Sequence, residues 1–132
     1  MGSRIRFYED ESFASCMLNI VSRDDIHSGD LITFRCQENL DILFDADANR
    51  RIIRIEFMDD EAHFLKDVVL DRSCYERIAT GYLIRLHNIM PRSVYSAKGI
   101  DIYFAHEDYT GPVAVGISDM EYYTEEMLNE DE

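Results

Sequence analysis

Apolar and polar residues alternate with a period of two along much of this chain, and that pattern limits what it can fold into. Arg4 to Tyr8 interleaves Ile5 and Phe7 with Arg4 and Arg6, and Ile32, Phe34 and Cys36 share one face after the turn His27-Ser28-Gly29-Asp30. The same spacing recurs in Leu40, Ile42 and Phe44; Ile53, Ile55 and Phe57; Tyr82, Ile84 and Leu86; Ile100, Ile102 and Phe104; and Val113, Val115 and Ile117. Successive side chains of a strand point to opposite faces, so such stretches make half-buried strands. Residues 31–58 read as a three-stranded meander, with Lys98-Gly99 and Gly111-Pro112 as turns farther on.

Helix signals are fewer. Ser73-Cys74-Tyr75-Glu76 and Ser118-Asp119-Met120-Glu121 have the spacing of a capping box, in which hydroxyl and carboxylate satisfy the open amides of a first turn. They predict short helices over about 73–80, stopped by Gly81, and about 119–128, with Met120, Tyr123, Met127 and Leu128 at roughly helical spacing. Residues 12–22 fit a strand or a short helix, and Ile20-Val21 tips the balance toward strand. The expected fold class is α+β: β-rich antiparallel hairpins in one sheet or a sandwich, with one or two short helices. At 132 residues one domain is expected, ending in a frayed acidic tail at 129–132.

Residues 40–64 laid on 100–124 without gaps match at several positions. Asp41, Ile42, Phe44, Asp59 and Glu61 face Asp101, Ile102, Phe104, Asp119 and Glu121, while Ile53, Ile55 and Phe57 face Val113, Val115 and Ile117. Two origins fit the match: a duplicated hairpin unit, or separate hairpins sharing one period.

Charge is unevenly spread. Residues 1–98 hold all 13 Lys and Arg against 17 acids, whereas residues 99–132 hold ten acids and no base. A surface of that sign repels nucleic acid and anionic membrane and draws basic partners. In the last third, acids alternate with tyrosines: Tyr103, Glu107, Asp108, Tyr109, Asp119, Glu121, Tyr122, Tyr123, Glu125 and Glu126. Tyr offers wide contact area and carboxylates form charge-assisted bonds to Arg and Lys, so these residues are the expected partner-binding set. The competing view is that the tyrosines cover the core edge while the acids face water.

Signals for chemistry are weak. His27, His63, His87 and His106 are scattered, the glycines form no phosphate-cradling loop, and Cys16, Cys36 and Cys74 sit among apolar neighbours as buried thiols. Cys74 has a second reading, since a helix start at Ser73 could lower its pKa. No catalytic residue, metal or cofactor is expected. There is no apolar run long enough for a membrane span and no signal-peptide core, so a cytoplasmic location is the default.

The stretch LFDADANRRIIRIE, Leu43 to Glu56, follows the ligand order of a calcium loop, with Asp45, Asp47 and Asn49 at alternate positions and Glu56 as the closing carboxylate. Arg50 stands where that loop needs Gly, and the flanks alternate as strands, so a hairpin turn is the better reading. RIRFYEDESF followed by ILFDADANRRIIRIEFMDD resembles a small bacterial β-rich domain of unknown function. Its sequences run Arg-Tyr-Asp-x-Glu near the start, then Asp-x-Asp-x-x-Gly and Gly-Ile-Glu. The resemblance covers at most residues 4–62, departs from the pattern where Arg50 or Arg51 stands in place of the turn's Gly and where Arg54 precedes Ile55-Glu56, and implies a β-rich fold with no activity.

The expected function is therefore binding: an acidic inhibitor or immunity-type protein that masks a basic partner, such as a toxin nuclease or a nucleic-acid-binding protein. Alternatives are a nucleic-acid mimic of the anti-restriction or anti-CRISPR type, and a small-ligand or metal-binding module centred on Asp45, Asp47 and Glu56.

Overall fold

The computed structural model describes residues 4–21, 31–47, 51–68, 70, 75–119 and 123. Among these described residues, ten strands form two antiparallel five-stranded sheets. The first contains β1 (Ile5–Glu9), β2 (Ala14–Asn19), β3 (Ile32–Arg35), β4 (Ile42–Ala46) and β5 (Ile52–Met58) in the order β1-β2-β5-β4-β3. After the helix α1 (Asp59–Phe64), the second contains β6 (Tyr75–Ile78), β7 (Gly81–Arg85), β8 (Ser93–Ala97), β9 (Ile100–Phe104) and β10 (Pro112–Ile117) in the order β6-β7-β10-β9-β8.

The two orders are the same: taking five from each label of the second sheet returns the first. Finer features repeat too. The β4–β5 ladder shifts register between Asp45 and Ala46, and the β9–β10 ladder does so between Pro112 and Ala114. Beside these bulges, the Ile53 carbonyl accepts from Ile20 and Val21, and the Val113 carbonyl accepts from Leu86 and His87. The ladders also refine the sequence match. Ile53, Ile55 and Phe57 correspond to Val113, Val115 and Ile117 as expected, but Ile42, which pairs with Phe57, corresponds to Ile100, which pairs with Ile117. The second hairpin loop is two residues longer, so β9 slips by two against β4. A slip of two keeps every side chain on its face, which is why a gapless alignment still looks right.

Alternation explains the core. Ile42, Phe44, Ile55 and Phe57 of the first sheet and Ile84, Ile100, Ile102, Phe104, Val115 and Ile117 of the second form one buried cluster, at most 1% exposed each. The sheets meet through Phe44 and Tyr95, whose rings stack at 6.2 Å. Burying each such side chain contributes about 1.5–3 kcal/mol, so the shared core dominates stability. Tyr123 completes it: the ring is fully buried, and its hydroxyl accepts from the Ile52 amide at 2.8 Å and donates to the Ile52 carbonyl at 3.2 Å.

One expectation needs correction. Residues 75–78 are strand β6, not the predicted helix of 73–80, because Tyr75 to Ile78 pair with Gly81 to Ile84 of β7. A capping-box spacing cannot hold a helix against a ladder that satisfies the same backbone groups. Among the described residues the helix is α1, which follows β5 at Asp59 and carries no signal in the sequence; β8 carries none either. The second predicted helix, 119–128, lies outside the described residues except for Asp119 and Tyr123. Within residues 12–22, Ala14–Asn19 form strand β2, residue 22 lying outside the described residues, and the meander expected over 31–58 is β3-β4-β5. No helix among the described residues is long and apolar enough to cross a membrane.

Candidate acidic contact surface

The β9–β10 loop, 105–111, is held from within and from below. Within it, the Ala105 amide donates to Gly111 O at 2.7 Å, and Thr110 Oγ1 donates to Asp108 Oδ1 at 2.6 Å. Tyr109 adopts φ 62°, which turns its ring edge-on to Phe104, 6.0 Å away. From below, buried Glu61 of α1 accepts the Gly111 amide at 2.9 Å and the Asn39 side-chain amide at 2.6 Å. Asn39 Nδ2 also donates to the Tyr109 carbonyl at 2.8 Å. Gly111 sits at φ 73°, and a Cβ there would meet His106 and Phe64 at 3.2 Å. With its backbone held in this way, the loop presents Glu107 and Asp108 to solvent.

Acids from the first half join this tip. Three clefts run along one end of the molecule and share lining residues. One of about 280 Å³ lies between the β1–β2 turn and α1, lined by Glu9, Asp10, Glu11, Asp59 and Asp60. Asp60 also lines the second, of about 370 Å³, together with Asp41 and His106. His106 and Thr110 carry the surface into the third, of about 480 Å³, beside Glu107, Asp108 and Arg92. His63 bridges the first pair of elements, its Nε2 3.3 Å from Glu9 Oε2. In the β1–β2 turn, the Ser12 amide leads the bonds that hold the Asp10 carboxyl below its ordinary value, with the Ser12 hydroxyl and the Phe13 amide adding to it. Asp10 therefore stays ionised in mild acid.

The predicted contact residues divide. Glu107, Asp108 and half-exposed Tyr109 come together on the braced loop. Tyr103 is half-exposed on the outer face of the second sheet, lining a separate groove. Asp119 lies beyond the far end of β10, where its carbonyl accepts the Tyr123 amide at 3.1 Å. Tyr123 is withdrawn into the core, its ring fully buried. Glu121, Tyr122, Glu125 and Glu126 lie outside the described residues, as do His27 and Cys74. Sequence reasoning missed Glu9, Asp10, Glu11, Asp41 and Asp60 as neighbours of the tip. Their acidic runs were visible, but their convergence depends on which hairpin α1 packs against.

The LFDADANRRIIRIE stretch spans the antiparallel strands β4 and β5, with residues 48–50 outside the described residues, and its described carboxylates have partners. Asp45 accepts from Arg54 Nε and Thr33 Oγ1, both at 2.7 Å, and buried Asp47 pairs with Arg51 at 3.1 Å. Burial raises Asp45, but Thr33 and Arg54 outweigh it and leave its pKa below the ordinary value. Glu56 is raised, first by burial and then by the Asp45 charge. Among the described residues no group of three or more His, Cys, Asp and Glu is arranged to hold a metal. Cys16 and Cys36 are buried free thiols; burial pushes Cys16 up to about 11 and raises Cys36. High thiol pKa values disfavour nucleophilic use.

No family model matches the chain, and no curated protein and no solved structure matches it.

Proposed function

We propose that the chain is an acidic protein-binding module of the inhibitor or immunity type, which masks a basic partner such as a nuclease or another nucleic-acid-binding protein. The observation that carries the reading is the braced loop. Glu107 and Asp108 sit on a backbone already fixed by Glu61 and Asn39, so little ordering entropy is lost when a partner docks. The clefts that join them to Asp59, Asp60 and the β1–β2 turn widen the negative field that steers a basic protein into contact. Masking then works by occlusion: the partner's Arg and Lys are engaged by carboxylates and unavailable to phosphates.

The test is calorimetric titration with protamine, an arginine-rich protein, at low and physiological salt. The reading expects the double reversal Glu107→Lys with Asp108→Lys to weaken binding far more than a charge-matched reversal at Glu76 and Asp101. Equal losses would reduce the effect to net charge and sink the proposed surface.

Internal duplication is the origin we propose for the two halves. The shared strand order, the matched bulges at Ile53 and Val113, and the equivalent backbone bonds support it.

A further inference from the structure

The two sheets differ where they face outward. At matching outward positions the first sheet carries Asp45 and Arg54, joined at 2.7 Å, on β4 and β5. The second carries Tyr103 and Ala114 on β9 and β10. The Asp45–Arg54 pair of the first sheet thus corresponds to a small apolar patch on the second, bordered by Arg85, which pairs with Ala114 across the ladder and whose guanidinium is held by Glu76 at 3.1 Å. Gly116 makes room for Tyr103 there: a Cβ on Gly116 would come within 3.1 Å of the Tyr103 ring. Ala114, Leu83, Tyr103, Ile78, Ile89 and Pro91 form the apolar walls of the resulting groove, about 160 Å³ in volume, and Arg85 and His87 also line it. That is close to the roughly 150 Å³ apolar cavity known to accept a benzene-sized group.

The groove adjoins the acidic end at two places. Pro91 leads into Arg92, which lines the cleft of Glu107 and Asp108, and the Arg92 amide donates to Phe104 O at 2.7 Å. His87, also in the groove, lies 2.7 Å from the Phe64 carbonyl through Nε2, and Phe64 borders the cleft of Asp60. An apolar hollow beside a negative tip is complementary to one kind of partner.

We propose that this groove is the anchor pocket of the interface, taking a single Leu- to Phe-sized side chain from a basic protein segment whose Arg and Lys lie on Glu107 and Asp108. This rests on the acidic-module reading and adds the source of its affinity. Carboxylates on an exposed tip set association rate, whereas a buried apolar anchor slows dissociation.

Two synthetic peptides of equal Arg and Lys content test it, one with a central Phe and one with Ser there, followed by fluorescence anisotropy. The Phe peptide is expected to bind about tenfold tighter, as burial of one such side chain implies. Filling the floor with Ala114→Met, or removing a wall with Ile89→Ser, should bring the ratio near one and leave the Ser peptide unchanged. Ile89 is 46% exposed on a loop, so its variant decides the matter if Ala114→Met fails to fold. A tenfold ratio that survives both variants overturns the anchor. So does a ratio of one in the parent when reversal of Glu107 and Asp108 still weakens both peptides, and in that case the acidic surface stands without it. If neither peptide binds at low salt, both proposals fall together.

Discussion

Gly111 and Glu61 lie 50 positions apart, and the Gly111 amide donates to the buried Glu61 carboxylate at 2.9 Å. This bond ties the helix of the first half to the hairpin loop of the second. Replacing Glu61 with Ala leaves the buried Gly111 amide without its acceptor and takes one of two acceptors from Asn39 Nδ2, which costs about 1–3 kcal/mol. Urea unfolding should show that loss. Hydrogen exchange at the Gly111 amide should quicken by more than global destabilisation alone explains, because the bond is local to the loop.

Tyr123 stands in the core with its hydroxyl bonded at both polar atoms of Ile52. Tyr123→Phe keeps the ring and strands that backbone pair, so a loss of about 1–3 kcal/mol in urea unfolding is expected.

The same phenol gives an alkaline signature. Burial raises its pKa in the folded chain above the ordinary 10.0, so the folded state holds the proton more tightly than the unfolded one. Its contribution to stability is complete below pH 10.0 and is lost as pH rises toward the folded value. Thermal melts above that pH should fall more steeply for the parent than for Tyr123→Phe.

Asp45 and Glu56 give two opposed signatures in acid. Glu56 is raised in the fold, so its contribution is present below the ordinary 4.5 and is lost as pH rises past it. Asp45 is lowered, so its contribution is present above the ordinary 3.8 and is lost as pH falls through the folded value. Glu56→Gln removes a charge that burial and Asp45 both oppose. Its urea midpoint should exceed the parent's at pH 7 and converge with it near pH 4; a lower midpoint at pH 7 would contradict this assignment.

Strands with strict alternation were legible in the sequence, because period two is a local property of buried faces. Ile53, Ile55 and Phe57 announce β5, and Val113, Val115 and Ile117 announce β10. What was not legible depends on partners far away in the chain. Tyr75 to Ile78 carry no strong alternation and become a strand only because β7 offers them a ladder. Val94 and Ser96 of β8 are exposed, and that strand's inward pair, Tyr95 and Ala97, is too short to signal a strand without β9 beside it. The acidic surface was half legible. Glu107 and Asp108 were found from charge and aromatic neighbours, whereas Asp59, Asp60 and the Glu9-Asp10-Glu11 turn join them only through the packing of α1 against the 105–111 loop.

The most direct measurement of the acidic tip's role is stopped-flow association with protamine across ionic strength. Screening shortens the reach of exposed charge from about 30 Å at 0.01 M to about 8 Å at 0.15 M salt, so a steered encounter should slow steeply over that range. The account predicts that Glu107→Lys with Asp108→Lys slows low-salt association about tenfold and flattens the salt dependence. Equal low-salt rates for parent and variant would contradict it.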